Sequence, residues 1–314
     1  MPRLAFLGPR ATFTEQALRS LPESAGAELV PCAGSPAVLA AVREGSVDAG
    51  CVPIENSVEG AVPAVLDGLV ADPPLVIVRE AAVAVRFALL GRAGTALADV
   101  RSVGSHPHAL AQTRGWVADH LPGADVVITS STSEAAAQVA RGELGAAVAA
   151  PLAGEQHELS VLADDIADNP GAVTRFALVA KPGPLPAPTG HDRTSLAATT
   201  QNRPGALLGL LTELAVRGID LTRIESRPIK DRHAEYWFHL DCTGHAAEPA
   251  MGEALAALHR RSDRVRFLGS YPRATNGFTP TGAGRAAADL GPASAEKYAA
   301  AAEWLAAVRA GSLA

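Results

Sequence analysis

The chain has 314 residues, 48% of them hydrophobic and 19% charged, a globular composition long enough for about two domains. Its 27 basic against 33 acidic residues give a net charge of -6, so it lacks the electrostatic footprint of a nucleic-acid-binding protein. Cys32, Cys51 and Cys242 are odd in number, far apart and in no CxxC pair, which argues against a disulfide framework or a structural zinc site and fits a reducing cytoplasm.

From the N-terminus, residues 4–7 are too short for a secretory h-region and run straight into Gly8-Pro9, so no cleaved signal is expected. Apolar runs at residues 3–7, 48–54, 75–78, 125–129 and 176–180 read as strands alternating with alanine-rich helices, an α/β pattern. Thr12-Phe13-Thr14-Glu15 has capping-box spacing, Ser35-Pro36 puts proline at the first helical position, and Ser57 and Ser133 read as further caps. Turns of this kind collect free backbone N–H groups at a helix N-terminus, a favourable setting for a carboxylate. Arg86 interrupts the most apolar stretch, residues 81–90, and no run approaches the roughly 18 residues of a membrane-spanning helix.

Residues 181–190, KPGPLPAPTG, form a proline-stiffened spacer, so the expected division is a first domain at 1–181, a linker at 182–192, a second domain at 193–272 and a tail at 273–314. In the second domain, residues 194–200 read as a strand. A helix follows with Leu207, Leu208, Leu211, Leu214 and Ala215 on one face, closed by Gly218. Residues 221–229 and 234–242 read as paired strands, the second setting Tyr236, Phe238 and Leu240 against Trp237, His239 and Asp241, with one face buried. A helix at 248–261 and a strand at 264–271 complete a ferredoxin-like βαββαβ order. Residues 273–292 read as mobile, and a last helix places Tyr298, Ala301, Leu305 and Val308 on one side.

Gly282-Ala283-Gly284-Arg285-Ala286-Ala287 matches GxGxxA, but no strand precedes it and the dinucleotide reading is rejected. His106-Pro107-His108 has no further ligand at zinc-like spacing, so no metal is expected. Phosphate-loop, GxSxG and HExxH motifs are absent from the sequence. There remains a dense polar cluster, Glu55-Asn56-Ser57-Val58-Glu59, ending an apolar strand. It reads either as a solvated turn or as acid/base and carboxylate-binding groups. Thr174-Arg175-Phe176 opens another strand with a hydroxyl, a guanidinium and an aromatic ring in succession.

Together these segments resemble prephenate dehydratase. The resemblance rests on Gly8-Pro9-Arg10-Ala11-Thr12-Phe13-Thr14-Glu15, the VPIENSxEG run at 52–60, Ser105-His106-Pro107 and Thr174-Arg175-Phe176, in the family's order. Beyond the linker, Asn202-Arg203-Pro204-Gly205-Ala206-Leu207 and Glu225-Ser226-Arg227-Pro228 resemble the phenylalanine-binding motifs of that family's ACT domain, and Leu268-Gly269-Ser270-Tyr271-Pro272 its closing strand. The chain departs from the family at Ala11, where glycine is usual, and at Ala172, where an asparagine is often found.

The resemblance implies a two-lobed periplasmic-binding-protein-like (type II) catalytic domain followed by a βαββαβ ACT regulatory domain, in a monofunctional enzyme. It implies decarboxylating dehydration of prephenate to phenylpyruvate, carbon dioxide and water, with no cofactor and no metal. Thr174, Arg175, Phe176, Glu55, Asn56 and Ser57 are the implied catalytic residues, and Thr12, Phe13, Glu59, Ser105 and His106 the implied substrate contacts. Phenylalanine, as feedback inhibitor, would bind between paired ACT domains near Asn202, Gly205, Ala206, Leu207, Glu225, Ser226 and Arg227, in a cytoplasmic homodimer or homotetramer with no nucleic-acid or membrane partner. The alternatives are arogenate dehydratase, the same chemistry on the aminated substrate, and a non-catalytic ACT-linked amino-acid sensor.

Overall fold

A computed structural model of the chain describes residues 1–230, 235–274 and 294–312. They form two compact units, the first made of Met1–Val65 and Ala81–Val179, the second of Leu66–Glu80, Ala180–Ala274 and the C-terminal helix. In chain order the elements up to the linker are β1 (Arg3–Leu7), α1 (Phe13–Arg19), β2 (Glu28–Cys32), α2 (Ser35–Glu44), β3 (Ala49–Asn56), β4 (Gly60–Ala61), α3 (Pro63–Leu69), β5 (Val76–Ala84), β6 (Ala88–Gly91), β7 (Ser102–Ser105), α4 (Pro107–Gln112), α5 (Arg114–His120), β8 (Asp125–Ile128), α6 (Thr132–Ala140), β9 (Ala146–Ala149), α7 (Pro151–Gln156), β10 (Ser160–Ala163) and β11 (Val173–Ala180).

Two sheets result, ordered β2-β1-β3-β11-β5, with β4 paired to β3, and β10-β6-β9-β7-β8. In each, one strand lies parallel between two others (β1 between β2 and β3, β7 between β8 and β9), and the next position goes to a strand that has just crossed over from the other sheet. The crossovers run side by side, with Val85 N–H donating to Ala172 O over 2.7 Å. This doubled arrangement is the two-lobed periplasmic-binding-protein-like (type II) fold. β11 is central, buried along most of its length and apolar from Phe176 onward, as a strand covered on both faces must be. Each fully buried side chain such as Phe6, Phe176 or Leu178 contributes about 1.5–3 kcal/mol.

The segment 10–14 joins the lobes. Ala11 is fully buried in the second lobe's core beside Ala88, Leu90 and Ala135, and Phe13 meets Phe87 edge-on at 5.7 Å between centroids. Ala11 has φ +61°, a left-handed conformation that favours glycine and accounts for the family's usual residue there. The capping box at Thr12 forms in modified shape: Thr12 Oγ1 accepts from Glu15 N–H at 3.3 Å, while Glu15 Oε2 reaches back to Ala11 N–H at 2.6 Å.

Some local expectations are corrected. No helix begins at Ser57: β3 continues to Asn56 and turns back into β4, because Ser57 is bonded to β11 rather than to a helical N–H. The cap of α6 is Ser131, which accepts from Glu134 N–H at 3.0 Å; Ser133 lies inside the first turn and donates to Arg10 O. Gly34, not Ser35, caps α2. β5 extends to Ala84, since the charges of Arg79 and Glu80 mask a strand whose Glu80 is buried in an ion pair.

The second unit holds β12 (Asp192–Thr199), α8 (Ala206–Ala215), β13 (Leu221–Pro228), β14 (Tyr236–Thr243), α9 (Pro249–Arg261), β15 (Arg264–Pro272) and α10 (Ala295–Ala310). Its sheet, ordered β13-β14-β12-β15, is antiparallel and has the expected βαββαβ connectivity. α8 and α9 cover one face over Leu196, Leu240 and Cys242. The other face is covered too, by the Leu66–Glu80 segment, through Glu80–Arg193 at 3.0 Å, Asp67–Arg227 at 3.1 Å and Asp72–Arg266 at 2.8 Å. Gly269 has φ +134°, and a Cβ there would lie 2.2 Å from Ile77 O, so this close approach needs glycine. β14 is therefore buried on both faces, which corrects the one-sided expectation.

The α8 face is also corrected. Ala206, Leu210 and Leu214 are buried, whereas Leu208 is 67% exposed and Ala215 is exposed; five leucines wrap too much of the helix for periodicity to choose a face. α10 touches α9 but buries none of its residues. The GxGxxA string, Ala234 and the stretch expected to be mobile between Thr275 and Pro292 lie outside the described residues.

Candidate active site

Within the first unit a cavity of ≈ 680 Å³ opens between the lobes, a volume ordinary for a small-molecule site. The first lobe contributes Thr12, Phe13, Pro53, Asn56, Glu59 and Thr174, the second Phe87, His106, His108, Gln112 and the Ser130–Thr132 turn. These groups gather beyond the C-terminal ends of β1, β3, β7 and β8, where open α/β sheets bind ligands.

The polar cluster and the Thr-Arg-Phe run, 118 residues apart, meet because β3 and β11 are neighbours. Asn56 Nδ2 donates to Thr174 Oγ1 at 2.9 Å. The amide's orientation is fixed from its other end: Oδ1 accepts from Val58 N–H at 2.8 Å and from Glu59 N–H at 3.0 Å, so only the NH₂ remains for Thr174. With its oxygen already accepting, the Thr174 hydroxyl has its own proton to donate. Ser57 secures the alignment, its N–H donating to Val173 O at 2.9 Å and its Oγ accepting from Val173 N–H at 3.0 Å.

At the neighbouring position, one residue before Asn56 and one after Thr174, Arg175 Nη1 donates to Glu55 Oε2 at 2.6 Å. Arg175 is 4% exposed, and neither partner lines the cavity. Their pair ties β3 to β11 behind the Asn56–Thr174 bond. Phe176 and Ser105 also lie outside the lining: Phe176 is core, and Ser105 Oγ donates to Val148 O at 2.6 Å inside the second sheet. Of the residues expected at the site, then, the cavity wall holds Thr12, Phe13, Asn56, Glu59, His106 and Thr174, while Glu55, Ser57, Ser105, Arg175 and Phe176 stand behind it.

Gln112 went unnoticed in the sequence, although it falls six residues past His106 on the helix that follows Ser105-His106-Pro107. Its Nε2 donates to Glu59 Oε1 at 3.3 Å, joining the two lobes across the cavity mouth. His106 Nδ1 accepts from His108 N–H at 3.3 Å, which leaves Nε2–H as the ring's donor. Burial, with His108 adding to it, lowers the His106 pKa, so the ring is neutral near pH 7.

Among the described residues lining this cavity there is no arginine or lysine. A ligand with carboxylates must be met by neutral donors and helix ends: the Thr132 and Thr174 hydroxyls, the Asn56 and Gln112 amides, His106, and the N-terminus of α6, whereas the Thr12 hydroxyl at the wall donates its proton to Leu7 O at 2.9 Å. No cluster of three or more metal-ligating side chains occurs among the described residues.

Two family models match the chain, prephenate dehydratase over residues 4–184 and the ACT domain over residues 194–260. A prephenate dehydratase of Amycolatopsis methanolica is 51% identical over 313 residues, covering 99% of this chain and 99% of its own length. The solved structure of a prephenate dehydratase from Arthrobacter aurescens in complex with L-Phe is 44% identical with a TM-score of 0.85, covering 98% of this chain and 99% of that one. A solved structure described as GqqA, a novel type of quorum quenching acylase, is 33% identical with a TM-score of 0.78, covering 87% of this chain and 98% of that one.

Proposed function

The chain belongs to the prephenate dehydratase family and has that family's carbon–oxygen lyase activity, and we propose that the Asn56–Thr174 pair at the cavity wall is where the reaction is driven. The substrate class is a cyclohexadiene bearing a ring carboxylate, a ring hydroxyl and a pyruvyl carboxylate. As the bond from ring to carboxylate breaks, its electron pair moves through the ring and expels the hydroxyl on the opposite carbon. That oxygen takes one proton and leaves as water; carbon dioxide and an aromatic keto acid remain.

Aromatisation supplies the driving force, so the protein's task is to hold the dianion and ease the hydroxyl away. Thr174, its oxygen occupied by Asn56, donates to the departing oxygen. Gln112, His106 and the α6 N-terminus hold the carboxylates, Thr12 shapes the wall with its hydroxyl bonded to Leu7 O, and Phe13 and Phe87 face the ring. Glu55, Arg175 and Ser57 act as positioning residues that set the register of β3 against β11.

The Asn56–Thr174 bond is the observation that carries this reading. An acylase nucleophile needs a base accepting its proton. Here Thr174 Oγ1 has only an amide donor as side-chain partner among the described residues.

In the second unit, L-phenylalanine is the proposed effector, at the segment Asn202, Gly205, Ala206 and Leu207 together with Glu225, Ser226 and Arg227. α8 opens at Gly205 without a side-chain cap; Ala206 N–H donates to Arg203 O at 3.2 Å, which leaves the Leu207 and Leu208 N–H groups for a carboxylate. Leu208, Ile224 and Tyr236 are exposed apolar residues around the edge strand β13 and support pairing of this unit with a second copy. A cytoplasmic location fits three free thiols. The test is incubation of the purified chain with prephenate and with arogenate, with and without phenylalanine. Phenylpyruvate formed from prephenate and suppressed by phenylalanine supports the reading; phenylalanine binding without turnover of either substrate favours a sensor.

A further inference from the structure

Arg227, in the Glu225-Ser226-Arg227 run, already has a carboxylate in its fork. Its Nε and Nη2 donate to Asp67 Oδ1 and Oδ2 at 3.1 and 3.2 Å, with the two side chains only 24% and 29% exposed. Such a two-point contact engages one carboxylate at a time. The other anchors of this segment differ. Glu80–Arg193 is fully buried and Asp72 is 79% exposed, and neither Arg193 nor Arg266 belongs to the effector motifs.

Both ends of the pair have informative positions. Asp67 lies in α3, one turn beyond Pro63, and Pro63 with Gly60, Ala61 and Val62 lines the catalytic cavity. Arg227 shares a row of the sheet with Trp237 and Thr199, so it stands at the edge from which β12 leads into Asn202–Leu207. Glu225, two residues back on the same strand face, adds the opposite charge, as an α-amino acid with its ammonium and carboxylate requires.

We propose that Asp67 is an internal stand-in for the effector's carboxylate. An α-amino acid bound at this site takes Arg227 from Asp67, and the freed α3 transmits the exchange back to Pro63 at the cavity wall. This rests on the effector reading given above. It separates two quantities that ordinarily move together. Removing the Asp67 charge takes away a competitor, so effector binding tightens. It also leaves α3 permanently freed, so the rate without effector falls toward the inhibited rate and bound effector changes it little further.

The experiment measures phenylalanine binding by calorimetry and inhibition by initial rates on the full chain, for wild type, Asp67→Asn and Asp67→Glu. Asp67→Asn is expected to show, without phenylalanine, a rate lowered toward that of phenylalanine-saturated wild type, and to bind phenylalanine about tenfold more tightly, equivalent to ~1.4 kcal/mol. Saturating phenylalanine should lower that rate little further. Asp67→Glu, which keeps the carboxylate, should stay nearer to wild type in both respects. An Asp67→Asn chain that binds phenylalanine no more tightly than wild type, or whose rate without phenylalanine equals that of wild type, overturns the proposal while leaving the effector reading intact. A wild type that neither binds nor responds to phenylalanine overturns both.

Discussion

Asn56 and Thr174 are joined by a 2.9 Å hydrogen bond whose direction is set by two backbone N–H groups on the far side of the amide. The amide donates, so the threonine hydroxyl is left with its proton aimed away from Asn56. A weak acid thereby becomes an oriented donor.

Asn56→Asp tests that direction. The carboxylate still accepts from Val58 and Glu59 but has no N–H for Thr174, whose proton then turns toward the new acid, and it adds negative charge to a cavity that receives a dianion. Losing one oriented donor costs ~10²–10³ in kcat. Initial rates on prephenate should show a loss of that size with thermal stability retained; a wild-type kcat would contradict the assigned direction.

The strained alanine gives a prediction in which opposing terms nearly cancel. Ala11→Gly relieves ~1–2 kcal/mol of left-handed strain, but it loses a buried methyl worth ~0.8 kcal/mol and adds ~0.5–1 kcal/mol of chain entropy. Denaturant unfolding should place this variant within about 1 kcal/mol of wild type. Ala11→Val adds bulk to a closed core and puts a β-branched residue at positive φ, and should lose more than about 2 kcal/mol.

His239 on β14 predicts how stability depends on pH. Burial, together with nearby Arg223, lowers its pKa from 6.5 to about 4, with Arg227 adding to the shift and Asp241 and Asp67 opposing it. Among the described residues neither ring nitrogen has a hydrogen-bond partner. The unfolded chain takes up a proton near 6.5 that the folded chain refuses until about 4, so stability falls as pH drops through that window, by roughly 3 kcal/mol in all. His239→Leu should flatten the decline in Tm between pH 7 and pH 4.5; an unchanged decline would show that another group is responsible.

Much of the fold was legible because it is local. The alternation of strands and helices, the βαββαβ order and the cap at Thr12 follow from periodicity and turn chemistry within a few residues. The residue types of the site were legible as strings as well. What the strings could not reveal was which side chains face each other. Asn56 meets Thr174 and Glu55 meets Arg175 only because β11 returns beside β3, and the alternation of the two strands sends one pair to the cavity and the other behind it. Gln112 was missed for the same reason: its partner, Glu59, lies across the cavity on the other lobe. The leucine-rich α8 hid its true face, and the charges of Arg79 and Glu80 hid most of β5, whose first residues join the second unit.

The central claim is that the Thr174 hydroxyl assists departure of the ring oxygen, and Thr174→Val tests it most directly by keeping the side chain's shape while removing its proton. Single-turnover conversion of prephenate to phenylpyruvate, measured with the enzyme in excess, should slow by ~10²–10³ or more, with the thermal transition and phenylalanine binding unchanged. Conversion at the wild-type rate would contradict the account.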